Sequence, residues 1–353
     1  MGMDDARVRD KFRGALLGTF AGDVVGAPVE GWDEERLNQA LEAYGDLAPD
    51  DPERDQYRPL FGLLTGEPMP PGSARYTDDT EMMISVAESL AEHPEFDGAH
   101  LASRFVANFH EFRGYGMGAF GLIIELRNGE PWDEVGGRLF GGQGSFGNGA
   151  AMRAAPVGAL YHAPGHVARL RRVADAQAAI THTHPLGRQG AVLLAAAVAA
   201  ALRREPGADG ELDREAFLDE VTEAVGGLED WYREGLNDVR SLIRDWQPRW
   251  EAADVLQCGI EAHLSVPAAI YAFLARPDRF EAAVAYAVRL GGDTDTVGAM
   301  CGAIAGAYHG ASAIPENWTA AMENGAAGRD YVAALADRLF DTWLALPPPS
   351  AGG

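Results

Sequence analysis

Apolar residues recur along this chain at helical steps, while alternating β-branched runs separated by hairpin turns are scarce. Residues 165–180 place Val167, Leu170, Ala174 and Ile180 at steps of three, four and six, and residues 213–225 repeat the pattern with Phe217, Val221, Ala224 and Val225. The predicted fold is therefore all-α. The stretch AVLLAAAVAAAL at 191–202 is the longest apolar run, about half of the roughly 20 residues a bilayer span needs, and reads as a buried helix. Two segments carry glycine at a four-residue period: Gly14, Gly18, Gly22 and Gly26, then Gly298, Gly302, Gly306 and Gly310. Such stripes let helix backbones approach closely, so both segments are expected at the centre of a bundle.

Breaks in the pattern mark loops. The segment 45–76 holds Pro49, Pro52, Pro59, Pro68, Pro70 and Pro71 with little periodicity, which predicts a long surface excursion ending at Thr77. REPGADGE at 204–211 reads as a second surface loop, and PPPSAGG at 347–353 as a disordered tail. None of these resembles a domain boundary and no solenoid-length repeat occurs, so one domain is expected over residues 1–346.

Composition adds constraints. A chain of 353 residues with 47% hydrophobic content can bury a full core. Two cysteines, Cys258 and Cys301, without CxxC spacing point to a reducing, cytoplasmic setting, and the acidic N-terminus lacks the basic-then-apolar pattern of an export signal. A formal net charge of −24 argues against a nucleic-acid-tracking surface, which requires clustered Lys and Arg. No membrane partner is expected either. A phosphorylated ligand would have to be held by metal ions, backbone N–H groups or helix N-termini.

Two clusters suit that requirement. YTDDTEMMISVAESL sets Thr77, Asp78, Asp79 and Glu81 at a helix start, and LGGDTDTVGAMCGAIAGAYHG does the same for Asp293, Thr294, Asp295 and Thr296. Taken alone each is explained by capping, Asp78 with Glu81 reading as a capping box. Capping uses one oxygen per helix, whereas each terminus offers three or more within four residues. Hard divalent cations take only oxygen ligands, and Mg²⁺ takes about six, several being water. With no EF-hand loop, HExxH or Cys/His spacing, the metal reading is Mg²⁺ or Mn²⁺ rather than Ca²⁺ or zinc. GGQGSFGNGAAMR reads as a Gly-rich turn leading into a helix, a place for a pyrophosphate on backbone N–H groups.

These motifs resemble those of the ADP-ribosylglycohydrolase family. The similarity runs from about residue 12 to 310 through GALLGTFAGDVVGAPVE, YTDDTEMMISVAESL, SFGNGAAMRAAPVGAL, THTHPLGRQGAVL, CGIEAHLSVPAAIYAFL and LGGDTDTVGAMCGAIAGAYHG, in the family order. The wording of GYGMG, SFGNGAAMR and GIEAHLSVPAAIYAFL is similar to the ADP-ribosylserine hydrolase branch. The resemblance implies a single-domain orthogonal helical bundle with a binuclear Mg²⁺ site in a central ADP-ribose cleft. It implies metal ligands at Thr77, Asp78, Asp79, Asp293, Asp295 and Thr296, and the catalytic glutamate at Glu30, on a mobile loop. Ser145, Phe146, Gly147, Asn148 and Gly149 are implied to line the ligand cleft, with Phe140 stacking on adenine. His182 is implied to face the distal ribose or diphosphate, and Ile260 with Gly114, Gly116 and Gly118 to lie near the ligand. His184 and Pro185 depart from the small residues of the serine-specific branch.

The function so implied is removal of ADP-ribose from modified protein side chains, O-linked on serine, with O-acetyl-ADP-ribose as a further substrate, by a monomer. Three alternatives stay open: an arginine-linkage hydrolase, a non-catalytic ADP-ribose reader, and a structural protein of the same fold. A complete ligand set together with Glu30 favours the enzyme, since fold alone does not settle function.

Overall fold

The computed structural model describes residues 4–207, 211–245 and 247–347; the expected tail beyond Pro347 and the middle of the 204–211 loop lie outside the described residues. Eighteen α-helices and six short 3-10 turns make up the described chain, with no strand among the described residues, as the helical periodicity predicts. Helix starts follow local chemistry. Asp33, Asp51, Asp97 and Asp213 each stand one residue before a helix and accept a backbone N–H from its first turn.

The glycine stripes build the centre. The first helix, Asp5–Gly26, runs antiparallel to the helix Thr294–His309 in the most extensive helix pairing among the described residues. A Cβ on Gly14 would lie 2.1 Å from the Gly306 carbonyl oxygen, on Gly18 2.1 Å from that of Gly302, on Gly22 1.9 Å from that of Gly298 and on Gly26 2.2 Å from that of Thr294. As one index rises by four its partner falls by four, so the zipper fixes register along the pair. Gly310, expected to continue the second stripe, instead ends that helix, with φ 85° after His309. Its positive φ is easily reached only without a side chain.

The apolar run at 191–202 lies within the helix Pro185–Leu202, whose residues from Gly190 onward are all buried. Long and apolar enough to cross a membrane by composition, it is wrapped by the helices Val167–Ala179, Arg214–Val225, Ala155–Leu160, Ala262–Ala275 and Thr294–His309. Its C-terminal carbonyls meet Lys11, the one lysine of the sequence, fully buried in the first helix. Lys11 Nζ donates to the carbonyls of Leu202 (3.3 Å) and Arg204 and stands 3.4 Å from Glu205 Oε1. A cation at a helix C-terminus is favourable.

The excursion 45–76 is not structureless. Pro52–Phe61 is a helix, with Pro52 at its first turn and Asp51 as its cap, and buried Phe61 packs against Trp32 and Tyr44 at ring distances of 6.0 and 5.5 Å. Proline there starts a helix instead of breaking one, because its missing N–H would have had no partner.

Candidate active site

The zipper sets the end of the first helix beside the start of the Thr294 helix. After Gly26 a 3-10 turn, Ala27–Val29, leads to Glu30. The next residues are laced to the turn before Asp293: Gly31 N–H donates to Gly292 O at 2.8 Å and Gly292 N–H to Trp32 O at 2.7 Å. Gly291 and Gly292 take φ of 79° and 78°, and a Cβ on Gly292 would lie 2.3 Å from the Cys258 carbonyl oxygen. This turn brings carboxylate oxygens of Glu30, Asp293 and Asp295 within 4.8 Å of one another.

The other cluster opens the helix Asp78–Glu92. Thr77 is its cap, accepting the Asp79 N–H, and Thr77 Oγ1 also donates to Asp79 Oδ2 at 3.1 Å. The capping-box reading of Asp78 and Glu81 does not describe this helix. The Glu81 carboxylate instead accepts from His110 N (3.0 Å), from Tyr115 Oη (2.8 Å) and from the His110 ring (2.7 Å), holding the loop before Gly116 against the helix. Across the cleft Thr296 Oγ1 donates to Asp79 Oδ2 (3.3 Å) and Asn148 Nδ2 to Asp293 Oδ2 (2.6 Å).

A sixth carboxylate, Asp23, completes the group. It is fully buried in the first helix; both of its oxygens lie 3.0 Å from Thr77 N, and its Oδ2 also accepts from Thr80 N (3.1 Å) and Thr80 Oγ1 (2.5 Å). It thus ties the first helix to the start of the Asp78 helix. Sequence reasoning passed over it; the available signal was an acid inside a glycine-striped segment otherwise built for burial.

Asp23, Asp79, Asp293 and Asp295 are buried, Asp78 is partly open, and Glu30 lies over them from an exposed position. No arginine or lysine hydrogen-bonds to any of them among the described residues. Asp79 Oδ1 is buried with no hydrogen-bond partner at all. Burial, followed by mutual repulsion, pushes Asp78 up to about 8 and Asp79 and Asp295 well above the usual carboxylate range. Burial also lifts Asp23 to about 6 and raises Asp293, and burial with the Asp293 charge raises Glu30. Uncompensated buried carboxylates of this density are costly unless paired or bound to cations. An oxygen-only donor set with an orphaned oxygen is what a hard divalent cation requires.

A cleft of about 580 Å³ opens above the acids. Its walls include Glu30, Asp78, Asp79, Gly114, Gly116, Gly118, Phe140, Ser145, Gly147, Asn148, Gly149, His182, Ile260, Asp293, Asp295 and Thr296. Thr77 reaches it only through Asp79. Phe146 is not on its wall: Ser145 and Gly147 face in, while Phe146 turns out to meet His184 and His263 at ring distances of 5.6 and 6.5 Å. Met82, Met117, Leu139, Met152 and Thr181, none of them anticipated, supply apolar and hydroxyl surface. Phe140 is 62% exposed with φ 53°, a left-handed conformation uncommon for an aromatic residue. The Gly-rich segment does not lead directly into a helix. Asn148–Ala150 is a single 3-10 turn, held by Asn148 N–H donating to Ile260 O at 2.9 Å.

Behind this turn a buried chain of donors sets the state of His182. Arg153, fully buried, donates to Gln177 Oε1 (2.7 Å), Gln177 O (2.9 Å) and Thr181 Oγ1 (2.8 Å). Thr181 Oγ1 lies 2.7 Å from His182 Nδ1. Arginine only donates, so the threonine hydroxyl keeps its own proton to offer; with that O–H donating onward to Nδ1, the neutral ring carries its proton on Nε2. A Cβ on Gly149 would meet that Nε2 at 3.2 Å, so the donor lies against the cleft backbone. Burial, and then the Arg153 charge, lowers His182 to about 3.

The ADP-ribosylglycohydrolase family matches residues 4–347. The chain is 34% identical to ADP-ribosylhydrolase ARH3 of Bos taurus over 373 residues, covering 97% of this chain and 96% of that protein. It is similarly 34% identical to the Homo sapiens ARH3 over 374 residues, covering 95% of each. An uncharacterised protein of Archaeoglobus fulgidus is 32% identical over 337 residues, covering 95% of this chain and 97% of that one. Among solved structures, an ADP-ribosylglycohydrolase-related protein complex superposes with a TM-score of 0.67 at 29% identity, covering 96% of this chain and 99% of that chain. The chain belongs to the ADP-ribosylglycohydrolase family and is a glycohydrolase.

Proposed function

We propose that this enzyme removes ADP-ribose O-linked to serine side chains of proteins, using two Mg²⁺ ions, with Mn²⁺ as a possible substitute. The observation that carries the reading is the convergence of buried carboxylates from two helix starts, with Asp79 Oδ1 unpartnered and, among the described residues, no lysine or arginine hydrogen-bonded to the group. Thr77, Asp78, Asp79, Asp293, Asp295 and Thr296 would hold the ions. Bound there, such ions supply Lewis-acid stabilisation of ribose hydroxyls and a water of lowered pKa.

Cleaving the anomeric C–O bond passes through an oxocarbenium-like state and needs a protonated leaving oxygen and an attacking water. Glu30, its acidity weakened by burial and by Asp293, is suited to donate the proton to the serine oxygen or to take one from water. Gly147 and Gly149 let the chain approach a ligand closely, and His182 Nε2–H is a neutral donor for a phosphate or ribose oxygen. The apolar wall of Met117, Leu139 and Phe140 suits an adenine ring. The relatives' name, ADP-ribosylhydrolase ARH3, supports ADP-ribosylated substrates without specifying the linkage.

The test is release of ADP-ribose from a serine-modified peptide, with Mg²⁺ and with chelator, beside arginine-linked and O-acetyl substrates. Metal-dependent cleavage of the serine substrate by the wild type, with about 10²–10⁴-fold lower turnover in Glu30→Gln, is expected. Preference for the arginine linkage, or normal turnover in chelator, overturns the reading.

A further inference from the structure

At the far end of the Asp78–Glu92 helix, about 20 Å from the cleft by helix rise, a second cluster differs in chemistry from the first. Glu92, His93 and His100 each offer a ligand atom, and these atoms lie within 4.8 Å of one another. Glu92 Oε2 and His100 Nε2 are 3.3 Å apart, and the rings of His93 and His100 have centroids 4.4 Å apart. Two zinc bonds of 2.0–2.1 Å at a tetrahedral angle span about 3.3–3.4 Å, so carboxylate and imidazole already stand at the edge length of such a site.

Three features beyond the cluster favour a cation. His100 Nδ1 lies 3.0 Å from the buried Ser89 hydroxyl; with the ring N–H donating there, the Nε2 lone pair is left facing Glu92 and His93. A hydrogen bond of this kind on the second ring nitrogen orients and fixes the tautomer of metal-bound histidines. His93 is the C-cap residue directly after Glu92, at the helix end where the negative pole of the dipole attracts positive charge. The connecting turn is hydrogen-bonded at both ends: Phe96, with φ 70°, donates its N–H to His93 O at 3.0 Å, and Asp97 Oδ1 accepts from His100 N at 2.9 Å. His93 and His100 are thus held from both sides, and Glu92 and His93 are exposed, leaving open positions for water.

We infer that Glu92, His93 and His100 form a second metal site, selective for a borderline divalent ion such as Zn²⁺ and separate from the oxygen-lined cleft. Two imidazoles and one carboxylate suit Zn²⁺ or Co²⁺ and not Mg²⁺, which prefers oxygen and octahedral geometry. An ion there would staple the end of the Asp78 helix to the start of the Gly98–Asn108 helix and stabilise the folded chain by mass action.

The test is titration of the Mg²⁺-saturated protein with Co²⁺, read by visible absorption, and with Zn²⁺, read by calorimetry and thermal melting. Expected is one equivalent of tetrahedral Co²⁺, a rise in melting temperature with Zn²⁺, and loss of both in His93→Ala and in His100→Ala. Ser89→Ala should weaken Zn²⁺ binding about 10–100-fold, the usual effect of removing a partner of a metal-bound histidine. Absence of a tetrahedral Co²⁺ band in the wild type, or its persistence in both histidine variants, overturns the site. Turnover of ADP-ribosylated peptide is not used as the readout, so failure here leaves the reaction assigned to the cleft untouched.

Discussion

A methyl group on Gly22 would lie 1.9 Å from the carbonyl oxygen of Gly298. The contact is backbone to backbone, so no side-chain rotation relieves it, and the two helices must separate. Alanine is worth about 1 kcal/mol more than glycine in a helix interior, but overpacking a filled site costs typically about 1–3 kcal/mol and occasionally more. Gly22→Ala should therefore lose stability in denaturant titration and also lose activity, because the same helix pair sets the distance from Glu30 to Asp293. Gly121→Ala, in a helix whose Cβ position is open, should instead gain about 0.4–1 kcal/mol. Equal stability changes in the two variants would contradict the zipper.

Asp23 accepts from Thr77 N and Thr80 N on the two sides of one carboxylate. Asp23→Asn turns one of those sides into a donor facing a donor. The fold should persist, while the Mg²⁺ concentration for half-maximal activity rises about 10–100-fold, as when a residue supporting metal ligands is lost. Metal titration of steady-state turnover checks this, and an unchanged requirement removes Asp23 from the machinery.

Thr181→Val removes the hydroxyl between Arg153 and His182. Nδ1 then loses its donor, and the ring is free to move its proton off Nε2. Nitrogen chemical shifts of the His182 ring should show the wild type protonated at Nε2 and the variant mixed. ADP-ribose affinity should fall by about tenfold, the loss of about one hydrogen bond of 1.4 kcal/mol.

Two buried histidines make the fold acid-sensitive. Burial lowers His162 to about 4 and His182 to about 3, both below 6.5. Below pH 6.5 the unfolded chain therefore binds protons that the folded chain refuses. Stability drops by about 1.4 kcal/mol per pH unit for each group until its folded value is reached. His162 lies between Phe12 and Trp343, at ring distances of 5.7 and 4.9 Å. His162→Phe should thus flatten the stability curve between pH 6.5 and about 4 and leave it unchanged above pH 7. Urea titrations across that range check the sign.

What was legible in the chain had local causes. Helical period, glycine period and the surplus of oxygens at 77–79 and 293–296 are all written within one helix turn or two. Asp23 carries only one local signal, an acid in a segment otherwise built for burial, and its role was hidden because Thr77 and Thr80 reach it only after the helices pack. The outward turn of Phe146 depends on the Gly147–Glu261 bridge, again a long-range contact. Proline content hid the Pro52–Phe61 helix because breaker and starter use the same residue, and only the packing of Phe61 under Trp32 decides between them.

The burial of Lys11 has a practical consequence. As the chain's one lysine, lying at 0% exposure with burial lowering its ammonium to about 8, it leaves the folded surface with guanidinium groups as its only side-chain cations of fixed charge. Amine-directed acylation or crosslinking will pass over the folded side chains and reach Lys11 only when the first helix leaves the core. The labelling rate of that one side-chain amine, read apart from the α-amino group, thus serves as a clock for opening of the first helix.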